Sequence, residues 1–106
     1  MASTGWLVQI LVPLYDNHGT RFGEEPFSRT RAELLGRFGG VTAYQHAPAR
    51  GLWKTEDGEV AKDDVVIFEV MTPHLDRPWW DGYRRELERR FSQETLVIRA
   101  LTHELL

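Results

Sequence analysis

WLVQILVPLY, the stretch from Trp6 to Tyr15, is apolar at nearly every position. Alternate residues of a β-strand point to opposite faces of the sheet, so this strand is expected to be buried on both faces. DVVIFEVM, from Asp64 to Met71, has the same pattern. We therefore predict that these two strands lie in the centre of a sheet. Pro13 has no N–H to donate to a ladder and is expected to end the pairing of the first strand.

Two amphipathic helices are predicted outside these central strands. The first runs from about Pro26 or Phe27 to Phe38, where Gly39-Gly40 supplies a left-handed stop. The second is capped by Asp76 and runs to about Ser92. Its apolar stripe consists of Trp80, Tyr83, Leu87 and Phe91. Its water-facing side is expected to carry Arg84, Arg85, Glu88, Arg89 and Arg90.

Two further strands, Val41 to Ala47 and Thr95 to Leu101, complete the pattern. The Asp57-Gly58 pair predicts an extra hairpin between the second and third strands. The resulting order, β-α-β-β-α-β, predicts an α+β ferredoxin-like fold. Right-handed crossovers then give a four-stranded antiparallel sheet of order 4-1-3-2 with both helices on one face. We expect residues 1–106 to form this single domain.

Composition excludes several classes of function. The 106 residues carry a net charge of −3 and no cysteine, which excludes disulfides and thiolate chemistry and argues against a general nucleic-acid binder. No apolar run is long enough for a membrane span. We therefore expect a cytoplasmic protein without a nucleic-acid or membrane partner.

The four histidines are scattered along the sequence and show no metal-binding spacing. Neither a metal site nor a cofactor is expected. A pairing of His18 with His74 is geometrically possible but only weakly indicated, because both follow central strands that are expected to end at the same side of the sheet.

Two helices cover only one face of a four-stranded sheet, and the other face is still largely apolar. We call this second surface the open face. Left in water, it would exceed the apolar patch that a monomer normally exposes. We therefore predict a homodimer that packs open face against open face. The predicted open-face residues are Leu7, Gln9, Leu11, Val65, Ile67, Glu69, Met71, Val97, Arg99 and Leu101.

Three polar residues interrupt the open face: Gln9, Glu69 and Arg99. The strand order makes them neighbours, and a buried charge requires a partner. One interpretation is a polar floor for a ligand cavity, in which Arg99 binds an anion. The alternative is a structural ion pair that fixes the register of the dimer.

A second group of candidate residues lies in the segment YQHAPARGLW, from Tyr44 to Trp53. His46 could move a proton near neutral pH, and Tyr44 shares its strand face. Arg50 could hold a carboxylate or phosphate, while Trp53 could stack on an aromatic ligand. The alternative is that the group is structural, with Trp53 as an apolar plug and Arg50 as a surface charge.

The element order and the two-faced apolar sheet resemble the dimeric α+β barrel group of ferredoxin-like proteins. The strings FGGVTAY, APARGLW, WWDGYRRELERRF and QETLVIRA also resemble short bacterial proteins of similar length whose function is not established. The barrel group contains cofactor-free monooxygenases, haem-binding members and ligand-binding modules, so the resemblance implies a cavity rather than one chemistry.

These observations leave three functions open. The first is a homodimer that binds a small anionic or aromatic molecule. The second is a non-enzymatic interaction module that uses its open face. The third is a cofactor-independent oxygenase or isomerase, in which His46 moves a proton and Arg50 or Arg99 holds the anion.

Overall fold

The computed structural model describes residues 3–46 and 64–106. The order of elements is the predicted β-α-β-β-α-β, and the α+β ferredoxin-like fold is confirmed. The extra hairpin predicted around Asp57-Gly58 lies outside the described residues. The elements are β1 (Ser3–Pro13), α1 (Glu24–Phe38), β2 (Thr42–His46), β3 (Val65–Thr72), α2 (Arg77–Arg90) and β4 (Val97–Leu105).

The four strands form one antiparallel sheet in the order β2-β3-β1-β4. The predicted order 4-1-3-2 is therefore confirmed, and the two most apolar strands are central. The pairing of β1 with β3 runs from Trp6 opposite Thr72 to Pro13 opposite Val65. Pro13 ends β1, as its missing N–H predicts.

The hydrophobic core lies between one face of this sheet and the two helices. Both helices contribute to the same cluster, so both cover the same face and the other face stays open. Full burial of each large apolar side chain contributes about 1.5–3 kcal/mol. The largest fully buried residues include Phe68, Phe91, Ile10, Leu34 and Leu87.

The helix ends follow from local sequence. The Asp76 carboxylate accepts a hydrogen bond of 3.1 Å from the backbone N–H of Trp79, and Gly39 ends α1 with a φ of 78°. The predicted start of α1 at Pro26 or Phe27 was wrong, because the helix begins at Glu24. Pro26 sits in the first turn, where its missing N–H has no intrahelical partner to lose.

The strand bounds also differ from the prediction. β1 begins at Ser3 rather than Trp6, and β4 spans Val97–Leu105 rather than Thr95 to Leu101. The two extensions pair with each other, with Ser3 opposite Leu105. Their sequences are less apolar than the strand centres, so the hydrophobic pattern alone did not reveal them.

The prediction that the arginines of α2 and Glu88 are exposed to water is wrong for Arg90 and for Glu88. The Arg90 side chain is only 5% exposed and lies against α1. The Glu88 side chain is 13% exposed, and its Oε2 accepts the backbone N–H of Leu96 at 3.0 Å. Both residues therefore anchor α2 to its surroundings.

The pairing of His18 with His74 considered from the sequence is also wrong. Because β1 and β3 are antiparallel, the loops that follow them lie at opposite ends of the sheet. Within the described ranges, no helix is long and apolar enough to cross a membrane.

Candidate functional site

Four side chains, one from each strand, form a hydrogen-bonded line across the open face. We call Tyr44, Glu69, Gln9 and Arg99 the polar row. Arg99 Nε donates to Gln9 Oε1 at 2.6 Å, and Gln9 Nε2 donates to Glu69 Oε1 at 2.6 Å. Tyr44 donates its hydroxyl proton to the same Glu69 oxygen at 2.7 Å. The row therefore runs from a guanidinium, through an amide, to a carboxylate and a phenol.

Strand register explains the row. Gln9 lies directly opposite Glu69 on β3 and directly opposite Arg99 on β4. Tyr44 pairs with Ile67, two residues from Glu69 along β3, and therefore reaches the carboxylate diagonally. Diagonal neighbours in a sheet are within reach of long aromatic side chains.

The carboxylate of Glu69 further favours the protonated form of Tyr44. The hydrogen bond to Glu69, together with partial desolvation and the negative charge of that carboxylate, raises the pKa of Tyr44 above its usual range. Tyr44 therefore acts as a hydrogen-bond donor in this row at neutral pH.

The surface around the polar row is apolar and partly uncovered. Met71 is 55% exposed and Leu101 is 47% exposed, and both lie on the open face. Val97 and Leu105 of β4 are exposed to a similar degree. Ile67, next to Glu69 on the same face, is buried among its neighbours. The polar row is thus set in an apolar surface that no described residue covers.

An open depression of about 980 Å³ lies beside the C-terminal end of β1, and none of the four residues of the polar row lines it. Its floor includes Leu11, Val65 and Val97 from three neighbouring strands, and Asp16 and Gln93 line its polar rim. Leu11 is two residues from Gln9 on the same strand face, so the depression begins two residues along β1 from the polar row. Its volume is within the range of small-molecule sites.

The structure divides the predicted site residues into two sets. Gln9, Glu69 and Arg99 lie side by side as expected, and Tyr44 joins them rather than forming a separate group. His46 ends β2 with its backbone opposite Val65, and its side chain is outside the described part of the chain.

Arg50 and Trp53 lie outside the described residues altogether. The contact between Tyr44 and Glu69 was missed because the sequence does not show which residue of β3 lies opposite Tyr44. The only available signal was that the strand order places β2 beside β3.

Between residues 3 and 46 and between 64 and 106, no three His, Asp or Glu side chains are grouped closely enough to hold an ion.

The fold and the open face define this chain as an α+β ferredoxin-like domain whose sheet is covered on one side. No protein-family model matches the chain, and no curated protein matches it significantly. Two solved structures of a phage SAM lyase do resemble it.

The phage SAM lyase in complex with S-methyl-5'-thioadenosine has a TM-score of 0.55 and 14% sequence identity, covering 95% of this chain and 88% of that chain. The same lyase in its apo state has a TM-score of 0.57 and 15% identity, covering 96% of this chain and 89% of that chain. At this level of identity the likeness shows the fold alone.

Proposed function

We propose that this protein binds a small anionic or aromatic molecule on its open face, in a cavity that a second copy of the chain completes. The observation that carries this proposal is the polar row, four hydrogen-bonded side chains from four strands within an apolar surface. Polar groups on an apolar surface lose their hydration when that surface is covered. This loss costs free energy unless another polar group forms hydrogen bonds with them. A site that recognises a polar ligand gives these groups such a partner.

The open face supports the second copy in this proposal. Met71, Val97, Leu101 and Leu105 expose apolar area that a face-to-face homodimer would bury. The row also places a positive charge on β4 and a negative charge on β3.

Two alternative functions use the same residues in other ways. A non-enzymatic interaction module is supported by the same exposed apolar residues. A cofactor-independent oxygenase or isomerase would use His46 to move a proton and Arg50 or Arg99 to hold an anion. The cytoplasmic location and the lack of nucleic-acid, membrane and cofactor partners stay predictions from charge and composition.

The proposal is tested by ligand-induced shifts in melting temperature. The panel contains small carboxylates, phosphates and aromatic compounds, together with S-methyl-5'-thioadenosine because a protein of the same fold binds it. We expect at least one compound to raise the melting temperature of the wild-type protein. Glu69→Gln and Arg99→Gln should reduce that shift, while the matched surface variant Arg89→Gln should keep it.

The result that contradicts small-molecule binding is a panel in which no compound shifts the melting temperature. Retention of the shift in Glu69→Gln and Arg99→Gln would place the ligand away from the polar row. If the wild-type protein converts a bound compound to product, the His46→Ala variant tests the enzymatic alternative. Loss of turnover in His46→Ala with binding retained would favour that alternative.

A further inference from the structure

We propose that the ligand of the polar row is a zwitterion whose cationic group contacts Glu69 and whose anionic group contacts Arg99. This inference rests on the proposed function, because it names the ligand class of the same site. It narrows the expectation of an anionic or aromatic molecule to one that carries charges of both signs.

Glu69 has an unused oxygen. Both of its hydrogen bonds, from Gln9 and from Tyr44, end on Oε1. Within residues 3–46 and 64–106, Oε2 accepts no hydrogen bond and Glu69 has no cationic partner. A carboxylate oxygen that is accessible on a sheet face is an acceptor for an ammonium group or another cationic donor.

Arg99 has unused donors at the other end of the row. Its Nε donates to Gln9, while Nη1 and Nη2 have no hydrogen bond or ion pair among the described residues. The two terminal nitrogens of a guanidinium match the geometry of a carboxylate or phosphate, which they bind through two parallel hydrogen bonds. Arg99 is exposed, so these nitrogens are accessible to a ligand.

Gln9 lies between the two charged side chains and forms a hydrogen bond to each of them. Its amide donates towards Glu69 and accepts from Arg99, so it stands between the two charged groups in place of a direct ion pair. Glu69 and Arg99 flank the same residue of β1, and two strand spacings of about 4.8 Å separate their backbones. Because one amide bridges the two side chains, their charged groups lie closer together than their backbones, and a ligand that contacts both must span the amide of Gln9.

The experiment uses 4-(aminomethyl)benzoate, in which a rigid ring separates an ammonium from a carboxylate. Its matched controls are 4-ethylbenzoate, which lacks the cation, and 4-methylbenzylamine, which lacks the anion. Dissociation constants are measured by NMR titration of the full-length protein. Each control lacks one charge-assisted contact, so we expect the zwitterion to bind about tenfold or more tightly than either control.

Variants assign each charge to its residue. Glu69→Gln should remove the preference for the zwitterion over 4-ethylbenzoate, while weak binding of 4-ethylbenzoate persists. Arg99→Gln should remove the preference for the zwitterion over 4-methylbenzylamine. Arg89→Gln, an exposed arginine of α2, should leave all three dissociation constants unchanged.

The outcomes separate this inference from the proposed function. If 4-ethylbenzoate binds as tightly as the zwitterion, the zwitterion is overturned and an anion site remains. If the zwitterion does not bind while another compound of the melting panel does, only the ligand class fails. If Glu69→Gln and Arg99→Gln change the mass of the protein in solution but no ligand affinity, the row is a contact between copies and the ligand class is overturned.

Discussion

Arg90 Nη1 lies 2.7 Å from Glu33 Oε1, and Arg90 Nη2 lies 3.0 Å from Glu33 Oε2. This bidentate ion pair joins the last turn of α2 to the middle of α1. Arg90 Nη1 also donates to the buried Thr30 hydroxyl at 2.9 Å, and the Tyr83 hydroxyl donates to Glu33 Oε1 at 3.0 Å. The contact holds the two helices together on the covered side of the sheet.

Glu33→Gln is expected to lower the free energy of unfolding by about 1–2 kcal/mol, because the buried guanidinium of Arg90 loses its bidentate partner and keeps the more distant carboxylate of Glu86, 3.7 Å away. Urea denaturation monitored by circular dichroism measures this change. Arg89→Gln, which removes a pair between exposed side chains, should change stability by less than about 0.5 kcal/mol. Equal losses in the two variants would show that burial of Arg90 contributes nothing to the pair.

The stability that Glu33 provides should depend on pH. Burial raises the pKa of Glu33, but hydrogen bonds from Arg90 and Tyr83 and the charge of Arg90 outweigh it, so the net pKa is lowered. A carboxyl with a lowered pKa binds fewer protons in the folded state than in the unfolded state. Its stabilisation is therefore complete above the ordinary glutamate pKa of about 4.3 and is lost as the pH falls below it.

The measurement is the difference in unfolding free energy between the wild type and Glu33→Gln from pH 7 to pH 3. That difference should be constant down to about pH 5 and shrink below it. A difference that stays constant to pH 3 would contradict the lowered pKa.

The fold was predictable because two signals agreed. The continuous apolar strands placed Trp6 to Tyr15 and Asp64 to Met71 in the sheet centre, and the caps Asp76 and Gly39 marked the helix ends. The burial of Arg90 was not predictable from charge pattern, since an arginine near acidic residues on a helix is usually solvated. Only the packing of α2 against α1 brings Arg90 to Thr30 and Glu33.

The candidate site was predictable in part, for a reason that lies in sheet geometry. Strand order alone made Gln9, Glu69 and Arg99 neighbours, because they lie near the middle of three adjacent strands. Tyr44 required the register of β2, and a shift of one residue would turn its side chain to the other face. The sequence also does not indicate why residue 5 is a glycine, because the reason depends on the residue that lies opposite Gly5 in the sheet.

Gly5 lies opposite His103, and a Cβ atom at this position would be 2.8 Å from His103 Cε1 and 3.0 Å from the backbone oxygen of Thr72. Both ring nitrogens of His103 are buried without a hydrogen-bond partner among the described residues. The imidazole therefore occupies the space that the missing side chain leaves. Gly5→Ala is expected to destabilise the protein by about 1–3 kcal/mol through overpacking.

A double-mutant cycle tests the role of His103 in that loss. In a His103→Ala background, Gly5→Ala should cost clearly less, with a residual loss because the Thr72 oxygen remains close. Chemical denaturation of the four proteins gives the interaction energy. Purely additive losses would show that the imidazole does not lie over Gly5.

The exposed apolar part of the open face leads to a prediction about the mass of the protein in solution. Leu101 is 47% exposed near the middle of β4, and Leu35 is 51% exposed on α1, so the two residues are matched in chemistry and exposure but differ in location. If the open face packs against a second copy, a charge at Leu101 is buried without a partner, whereas a charge at Leu35 stays in water. Light scattering at micromolar concentration should give wild-type and Leu35→Lys proteins of twice the 12.3 kDa chain mass, and a Leu101→Lys protein of the single-chain mass. A wild-type mass of one chain would contradict the homodimer, and dissociation by Leu35→Lys instead of Leu101→Lys would move the interface from the sheet to the helices.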